Sequence, residues 1–463
     1  MKRRNLLLWT FGLLPIAGKA QTERWDESAD VLVIGGGAGG LSSALSASNF
    51  GSKVILLEKM DFLGGDSLRS GGYFNAVTKK VIHAGSDSVE HFKRQIIDSG
   101  AGYSSPLLAS VLAERSGESL EWLKAQGIKF LEEPRYIFGG LWKRAYKPLL
   151  PSGTGYIQAL SERCLKKGVQ IRTSCKVTKI LTADGHNEVL GLEVEDHRGI
   201  SRRIRAHKGV IIASGGFGAN KGMLKSRANF TDNVGSDSHP GATGEVLLLA
   251  EEIGAKLTNM PFVECVPGGD EKASDQVRLD YDPSGIMFVN EKGERFVEET
   301  LPRSEIYDAF RKQQVKRCFT IADSATVEQV DLYRRKNLFR GLYSHLTWRK
   351  DTLDELAAAL NIDAGNLKES AEALTKRGKM MTPPYWAVRV SFKVHTTLGG
   401  LTIDPQARVL DVQDRPIKNL YACGQAVGNL HEKNRLGGNG INCAVTFGRI
   451  AAETIHKRKK TAI

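Results

Sequence analysis

Hydrophobic positions in the first sixty residues form two unbroken runs on either side of a stretch of glycines. The segment ADVLVIGGGAGGLSSALSASNFGSKVILLEK, residues 29–59, predicts a buried strand, a glycine turn, an apolar helix and a second strand. Unbroken apolar runs are typical of strands that a sheet buries on both faces. Two later segments, GVIIASGGFGAN at 209–220 and NLYACGQAVG at 419–428, each predict a strand that enters a turn of small residues.

Apolar residues follow other periodicities further along the chain. Alternation over residues 177–199 predicts a β-hairpin, and apolar residues at helical spacing over residues 351–376 predict helices. The stretch NRLGGNGI ends where another helix is predicted to begin, at Asn439-Gly440. Because a helix N-terminus is already electropositive, the permanent cation of Arg435 beside it indicates that a negatively charged ligand binds there.

The first twenty residues, MKRRNLLLWTFGLLPIAGKA, differ from the rest of the chain. Their basic start, short apolar run and small residues before Ala20 predict a signal peptide over residues 1–20, too short for a stable anchor. The pair Arg3-Arg4, followed by Asn5 and two leucines, resembles a twin-arginine signal. An ordinary secretory signal and an uncleaved anchor are the alternatives. We therefore expect export to the periplasm, with no membrane insertion of the mature chain.

Composition limits the cofactors and partners. The 463 residues suggest two or three domains, and the formal net charge of +13 falls to +9 without the four cations of residues 1–20. This excess fits anionic substrates or an acidic protein partner, and the chain lacks the aromatic-interleaved basic stripe of a nucleic-acid binder. None of the six cysteines forms a CxxC pair, so we expect buried thiols, no metal site and no haem attachment.

The glycine turn after the first strand carries the first chemical signal. Glycine is needed at the turn, where backbone meets pyrophosphate, and where helix packs on strand. Glu58, at the end of the second strand, is placed to accept a hydrogen bond from a ribose hydroxyl. A second glycine-rich loop, LGGDSLRSGG at 63–72, and the two later strand–turn segments bring the total to four. Four such segments favour a long, extended cofactor, FAD, over NAD.

These motifs resemble the FAD-dependent fumarate reductase and succinate dehydrogenase flavoprotein family, most closely its soluble periplasmic branch. That branch includes flavocytochrome fumarate reductases and urocanate, methacrylate and cinnamate reductases. The resemblance runs from about residue 28 to residue 457. Besides the glycine-rich segments, its motifs are SHPGATGEVLLLAEEIGAKL at 238–257, FVNEKGERFVEETLPRSE at 288–305, VHTTLGGLTID at 394–404 and NRLGGNGINCAVTFGR at 434–449.

The resemblance implies an α/β fold: a Rossmann-like FAD-binding domain split in sequence, with an inserted α+β clamp (capping) domain. The implied parts are residues 21–258 and 395–463 for the FAD-binding domain and 259–394 for the clamp. The loop at 63–72 has no histidine to which FAD could be attached, so the cofactor is expected to be non-covalent. The expected FAD contacts are Gly35, Gly37, Ala38, Gly39, Gly40, Glu58, Lys59, Gly64, Gly65, Asp66, Ser67, Gly71, Gly72, Val177, Ala213, Ser214, Gly215, Gly216, Glu245, Gln425, Asn439, Gly440 and Ile441.

The resemblance also implies a substrate site. Arg435 matches the family's carboxylate-binding arginine, and His395 the second ligand of that carboxylate, with Thr397 beside it. A planar guanidinium suits bidentate carboxylate recognition. Fumarate reductases have a further histidine for the second carboxylate, where this chain has Val266. Because an unpartnered charge is costly there, we expect a monocarboxylate of the acrylate, methacrylate, cinnamate or urocanate type, with fumarate second.

Arg303 matches the family's proton-donating arginine, and the stretch SDQVR suggests that Asp275 and Arg278 relay protons to it. The alternative for Arg303 is a surface salt bridge with Glu298, Glu299 or Glu305. The resemblance thus implies a reductase of activated C=C bonds in anaerobic respiration, supplied with electrons by a separate periplasmic donor such as a c-type cytochrome. A ketosteroid dehydrogenase and a non-enzymatic flavin electron carrier are the other interpretations.

Overall fold

The structure is a computed structural model, and it describes residues 24–137, 139–183, 188–268, 277–279, 283–313, 317–330, 332–375, 381–431 and 433–461. Up to residue 258, the elements are β1 (Glu27–Ile34), α1 (Ala38–Asn49), β2 (Val54–Leu57), α2 (Gly65–Arg69), β3 (Phe74–Asn75), α3 (Lys79–His83), α4 (Val89–Ser99), α5 (Pro106–Ala125), β4 (Ala145–Tyr146), α6 (Thr154–Lys166), β5 (Gln170–Arg172), β6 (Cys175–Thr182), β7 (Val189–Asp196), β8 (Ser201–Ile212), α7 (Lys221–Ala228), β9 (Gly235–Ser236), α8 (Glu245–Glu252) and β10 (Leu257–Thr258).

The remaining elements are β11 (Val263–Gly268), β12 (Ile286–Asn290), α9 (Arg303–Lys312), β13 (Cys318–Ala322), α10 (Ser324–Gln329), α11 (Leu332–Tyr343), β14 (Thr347–Lys350), α12 (Leu353–Leu360), α13 (Ala364–Thr375), β15 (Tyr385–Thr397), β16 (Gly400–Leu401), β17 (Arg408–Leu410), β18 (Pro416–Ala422) and α14 (Asn439–Thr461). Short 3₁₀ turns occupy Pro283–Gly285 and Gly424–Ala426.

The first sheet is mainly parallel and has the order β17-β18-β8-β1-β2-β5, with β7 pairing to β8 and β6 to β7. Parallel partners flank β1 on both sides, with Leu32 opposite Ile55 of β2 and Val210 of β8. This position explains the unbroken apolar run of β1, because helices bury both faces of such a sheet. The predicted strands and helix of residues 29–59, the hairpin and the helix at Asn439 are all confirmed.

The second sheet has the order β11-β15-β13-β12, and β14 and β9 also pair with β15. It is antiparallel apart from the β9 pairing. Helices α12 and α13 confirm the helical prediction for 351–376, and they bury Leu356 and Leu367 in a small core of their own. A separate core and a separate sheet give this part the α+β character expected of a clamp. Its limits at 259 and 394 stay a prediction.

The six cysteines are all buried and unbridged, as expected from their scattered positions. Among the described residues, no helix has both the length and the apolarity needed to cross a bilayer. The predicted signal peptide lies outside the described residues, and so does Asp275.

Candidate active site

A cavity of about 1320 Å³ lies at the carboxyl ends of β1, β2, β8 and β18, and we call it the strand-end cavity. Ligands of doubly wound sheets bind at this end of the strands. Eighteen of the predicted FAD contacts line it: Gly35, Gly37, Ala38, Gly39, Glu58, Lys59, Gly64, Gly65, Asp66, Ser67, Val177, Ala213, Ser214, Gly215, Glu245, Gln425, Gly440 and Ile441.

The glycine turn brings main chain close to main chain beside this cavity. Gly35 has φ +107°, and a Cβ built on it would lie 2.4 Å from the carbonyl oxygen of Ala213. Glu58 fixes the turn, because its Oε2 accepts a hydrogen bond from the Gly36 amide at 2.7 Å. Its Oε1 accepts from the Met60 amide at 2.9 Å. Glu58, the acid predicted to bind ribose, is therefore fixed at the carboxyl end of β2.

Several polar groups of the strand-end cavity are suited to a polar ligand. The Ser214 hydroxyl and the Nε2 atoms of His239 and His431 are buried there without a hydrogen-bond partner among the described residues. Burial, together with the charge of Arg435, lowers the pKa of His431 to about 3, so its imidazole is neutral. Burial raises the pKa of Asp66 to about 6. Orphaned polar groups beside a glycine cradle fit FAD, with its pyrophosphate and polar ring atoms.

Five predicted FAD contacts do not line this cavity. A Cβ on Gly40 would lie 1.9 Å from the Gly35 carbonyl oxygen, and one on Gly216 would lie 2.2 Å from Thr397 Oγ1, so both serve internal packing. Asn439 is buried and accepts a hydrogen bond from Asn75 at 2.8 Å. Gly71 and Gly72 line a neighbouring cavity instead. Lys59 and Glu245 do line the strand-end cavity, where they form an ion pair with each other.

The neighbouring cavity, of about 630 Å³, is the arginine cavity, because Arg278, Arg303, Arg334 and Arg435 line it. It shares five lining residues with the strand-end cavity: Ser70, His395, Arg435, Gly440 and Ile441. A ligand in the arginine cavity would therefore lie directly beside a cofactor in the strand-end cavity. The structure brings together every described residue predicted for substrate binding and proton transfer except Thr397, which lines only the strand-end cavity.

Glu264, which the sequence analysis missed, joins two of these arginines. Its Oε1 accepts from Arg303 Nη1 at 2.8 Å and from Arg435 Nη2 at 3.4 Å, and its Oε2 accepts from the Arg435 amide at 3.1 Å. Burial alone would raise the pKa of Glu264, but Arg303 and Arg435 outweigh it and lower the pKa below 4.5. The only available signal was a lone carboxylate inside the apolar run FVECV.

The surface salt bridge considered for Arg303 is wrong. Glu298 and Glu299 both pair with Arg295, whereas Arg303 begins α9 and pairs with the buried Glu264. Only 12% of the Arg303 side chain is exposed. A buried guanidinium held by a buried carboxylate points into a site rather than into solvent.

A second missed acid, Asp237, holds His395 and lies near Arg278. His395 Nδ1 is 2.9 Å from Asp237 Oδ1, and Arg278 Nη1 is 3.6 Å from Asp237 Oδ2. Burial would raise the pKa of Asp237, but His395, Arg278 and Arg69 lower it overall. An ionised carboxylate on Nδ1 leaves Nε2 of the same ring for a ligand. No local motif marks Asp237, so its role depends on the fold alone.

The far wall of the arginine cavity is only partly apolar. Val266, as predicted, is buried there, and Ile137 adds a second apolar surface. Tyr73 and the buried Arg334 also line it, and neither was identified from the sequence. Val266 is therefore not the only side chain near a second carboxylate, because helix α11 contributes an arginine that lies far from every motif.

Comparisons with known proteins agree with this geometry. The family described as "FAD binding domain" matches residues 30–441. A probable fumarate reductase of Shewanella frigidimarina is 32% identical over 456 residues, covering 93% of this chain and 75% of that protein. The NADH:acrylate oxidoreductase of Vibrio harveyi is 30% identical, and the match covers 93% of this chain but only 50% of that protein. The chain thus spans half to three quarters of these relatives.

A solved structure is similar to this chain in both fold and sequence. The open conformation of a flavocytochrome c3 fumarate reductase has a TM-score of 0.75 at 32% identity, with 94% of this chain and 79% of that chain covered. The strand-end cavity, its glycine turn and its orphaned polar groups fit the same cofactor, FAD. The chain belongs to the FAD-dependent fumarate reductase and succinate dehydrogenase family of flavin oxidoreductases.

Proposed function

We propose that this protein is a periplasmic reductase that saturates the C=C bond of an α,β-unsaturated carboxylate in anaerobic respiration. The observation that carries the proposal is the arginine cavity. It gathers Arg303, His395 and Arg435 and shares His395 and Arg435 with the strand-end cavity. A ketosteroid, being uncharged, would leave these cations without a ligand, and a flavin electron carrier would not need them.

The carboxylate binds to Arg435 and His395. Glu264 contacts Arg435 and Asp237 contacts His395, so both side chains are already oriented when the substrate binds. Donors fixed in this way stabilise the negative charge that grows on the carboxylate side of the substrate during reduction. When bound, FAD supplies the hydride that adds to one carbon of the double bond.

Arg303 gives a proton to the other carbon, which leaves a saturated carboxylate as product. Glu264 is a positioning residue in this scheme, because its hydrogen bond at 2.8 Å fixes the Arg303 guanidinium. Arg278 lines the same cavity and lies beside Asp237, and we propose that it returns the proton to Arg303. Asp275, proposed as its partner, lies outside the described residues.

The test is a screen of enoates against the purified holoenzyme with reduced viologen as electron source. Acrylate, methacrylate, cinnamate and urocanate should each be compared with fumarate by kcat/KM. Because Val266 gives a second carboxylate no hydrogen bond, we expect the best monocarboxylate to exceed fumarate by about ten- to a hundredfold. An enzyme that reoxidises viologen with none of them would contradict the proposal.

Val266→His, with Val266→Leu as its apolar control, should shift this ratio towards fumarate, whereas the control should leave it unchanged. Fumarate reduction is the second candidate function, and Arg334 favours it because this arginine lines the same cavity and adds positive charge beside Val266. If the wild type prefers fumarate, Arg334→Gln should abolish that preference while Val266→His adds little.

We further propose that FAD is bound non-covalently, that Arg3-Arg4 direct export of the folded, loaded protein, and that residues 259–394 form the clamp. Electrons would come from a separate periplasmic donor, such as a c-type cytochrome. Acid precipitation should release all flavin from the protein, and yellow colour that stays in the pellet would contradict a non-covalent link. Normal export of a variant with both arginines changed to lysine would exclude the twin-arginine route.

A further inference from the structure

A third cavity, which we call the basic cavity, opens beside the arginine cavity. It encloses about 2170 Å³, and two segments line it, one around residues 131–151 and the other around 326–336. None of the described residues that line it is acidic, and six of them carry positive charge: Arg135, Lys143, Lys147, Arg334, Arg335 and Lys336. A concave surface with this many positive charges attracts anions.

The positive charges extend from the surface inwards. Arg135, Lys143 and Lys336 are exposed and Arg335 is half-buried, whereas Arg334 is buried. Tyr73 and Arg334 line both the basic cavity and the arginine cavity, so they form the junction between the two.

Contacts at this junction also reach the loop at 63–72, which contains several of the predicted FAD contacts. Lys147 Nζ donates to the Gly71 carbonyl oxygen at 3.0 Å and lies 4.7 Å from the centroid of the Tyr73 ring. Gly71 itself lines the arginine cavity. The basic cavity therefore adjoins the arginine cavity at Tyr73 and Arg334, next to the place where the substrate carboxylate would bind.

We propose that the basic cavity is the entrance that draws the anionic substrate from solvent towards Arg334 and then into the arginine cavity. A concave surface with charges of one sign raises the local concentration of counter-ions and speeds their association. The proposal rests on the proposed function only in taking the substrate to be a carboxylate. An acidic electron-donor protein is the alternative visitor, but the junction at Tyr73 and Arg334 leads to the substrate pocket, which favours a small anion.

The first experiment removes the outer charges. In the holoenzyme, Lys143→Gln, Arg335→Gln and Lys336→Gln are combined, and Lys166→Gln, Lys167→Gln and Lys179→Gln form a control triple of exposed lysines that line none of the three cavities. Acrylate, cinnamate and fumarate are mixed with oxidised enzyme, which cannot turn over, and flavin absorbance follows binding by stopped flow.

The association rate constant should fall about tenfold at low salt in the cavity triple, with the dissociation rate constant unchanged. The difference should vanish near 1 M salt, where charges are screened over about 3 Å. The control triple should match the wild type. If the dissociation rate constant changed and the association rate constant did not, the cavity would be a binding site and not an entrance, and the proposal would be overturned. Slower reduction by an acidic donor protein, with unchanged enoate binding, would overturn it in favour of donor docking.

A second experiment blocks the cavity sterically. All native cysteines are buried, so a single cysteine at the exposed Gln329, a lining residue, can be labelled selectively with a bulky maleimide. Labelled Gln329→Cys should bind the same enoates several-fold more slowly, while labelled Lys166→Cys should not. Equal association rates in the two labelled proteins would exclude this route. Both experiments measure the binding of enoates to oxidised enzyme, so their outcome does not depend on whether the enzyme reduces any of them.

Discussion

The strand-end cavity and the arginine cavity lie side by side, but they are built from different parts. Small residues and main chain at the ends of β1, β8 and β18 form much of the first. Long polar and charged side chains from α9, α11, β15 and the loop before α14 form much of the second. Steric limits shape one of them, and balanced charges shape the other.

This contrast indicates how each cavity fails. A cavity shaped by backbone is lost when a side chain is added, because main-chain atoms only 2 to 3 Å away cannot move aside. A cavity shaped by charges is lost when one partner of a pair is removed, because the other charge stays buried and uncompensated. Changes in the arginine cavity should therefore lower turnover without releasing FAD, and changes in the glycine turn should release FAD.

The largest effect is expected from Arg303→Ala. Removing the proton donor should lower kcat for enoate reduction by about 10²–10⁴-fold, the usual contribution of a positioned acid. FAD content, measured from flavin absorbance, should equal that of the wild type. Arg303→Lys should retain a small part of the activity, because lysine donates a proton but lacks the fork of arginine. Arg311→Ala, on the same helix but exposed, is the control. Substantial turnover by Arg303→Ala would move the acid role to another residue.

The next effect concerns the charge balance of the arginine cavity. Glu264→Gln should lower the free energy of unfolding by about 3 kcal/mol at pH 7, because two largely buried guanidinium groups lose their hydrogen bonds to this buried carboxylate. Exposed Glu305→Gln should change it little.

The effect of Glu264→Gln should depend on pH. The folded-state pKa of Glu264 lies below its usual 4.5, so its contribution is complete above about pH 4.5 and is lost as pH falls through the folded pKa. Urea unfolding of holoenzyme at pH 7, 5 and 4 should show the difference between wild type and Glu264→Gln narrowing as the solution becomes more acidic. A constant difference would show that the loss is one of shape, not of charge.

Gly35→Ala tests the cavity that is shaped by backbone. The φ of +107° and the collision with the Ala213 carbonyl oxygen should weaken FAD binding at least about tenfold, since such strain costs on the order of 1–3 kcal/mol. Gly51→Ala is the matched control, because Gly51 also has positive φ, +77°, but nothing lies within 4 Å of its added Cβ. Titration of apoprotein with FAD measures the effect, and equal affinities for the two variants would refute the steric argument.

The smallest effect is expected from Asp237→Asn. It removes the carboxylate at 2.9 Å from His395 Nδ1 and should raise KM for the enoate about three- to tenfold, with kcat nearly unchanged. Asp232→Asn is the control, because the Asp232 carboxylate accepts a hydrogen bond from the Tyr307 hydroxyl and does not line the arginine cavity. A fall in kcat with constant KM would mean that Asp237 acts on the reaction, through His395 or Arg278, and not on carboxylate binding.

Local sequence was sufficient for the strand-end cavity. The apolar runs, the glycines after them and the acid at Glu58 are close together along the chain, so periodicity and turn chemistry predicted β1, α1, β2 and the glycine turn, and the family resemblance implied the lining from more distant segments. The predicted contacts that do not line the cavity, such as Gly40 and Asn439, lie next to residues that do. Their side-chain positions depend on how α1 and α14 pack, which a turn motif does not specify.

The arginine cavity was decided by tertiary structure. Motifs identified Arg303, His395 and Arg435 one at a time, but Glu264, Asp237 and Arg334 carry no motif, and only the packing of the two sheets brings them to those cations. A buried charge is tolerated where the fold supplies its partner, and the partner can come from any distance along the chain. The sequence by itself therefore determined the family and the cofactor, whereas the three-dimensional fold determined which acids lie beside Arg303, His395 and Arg435.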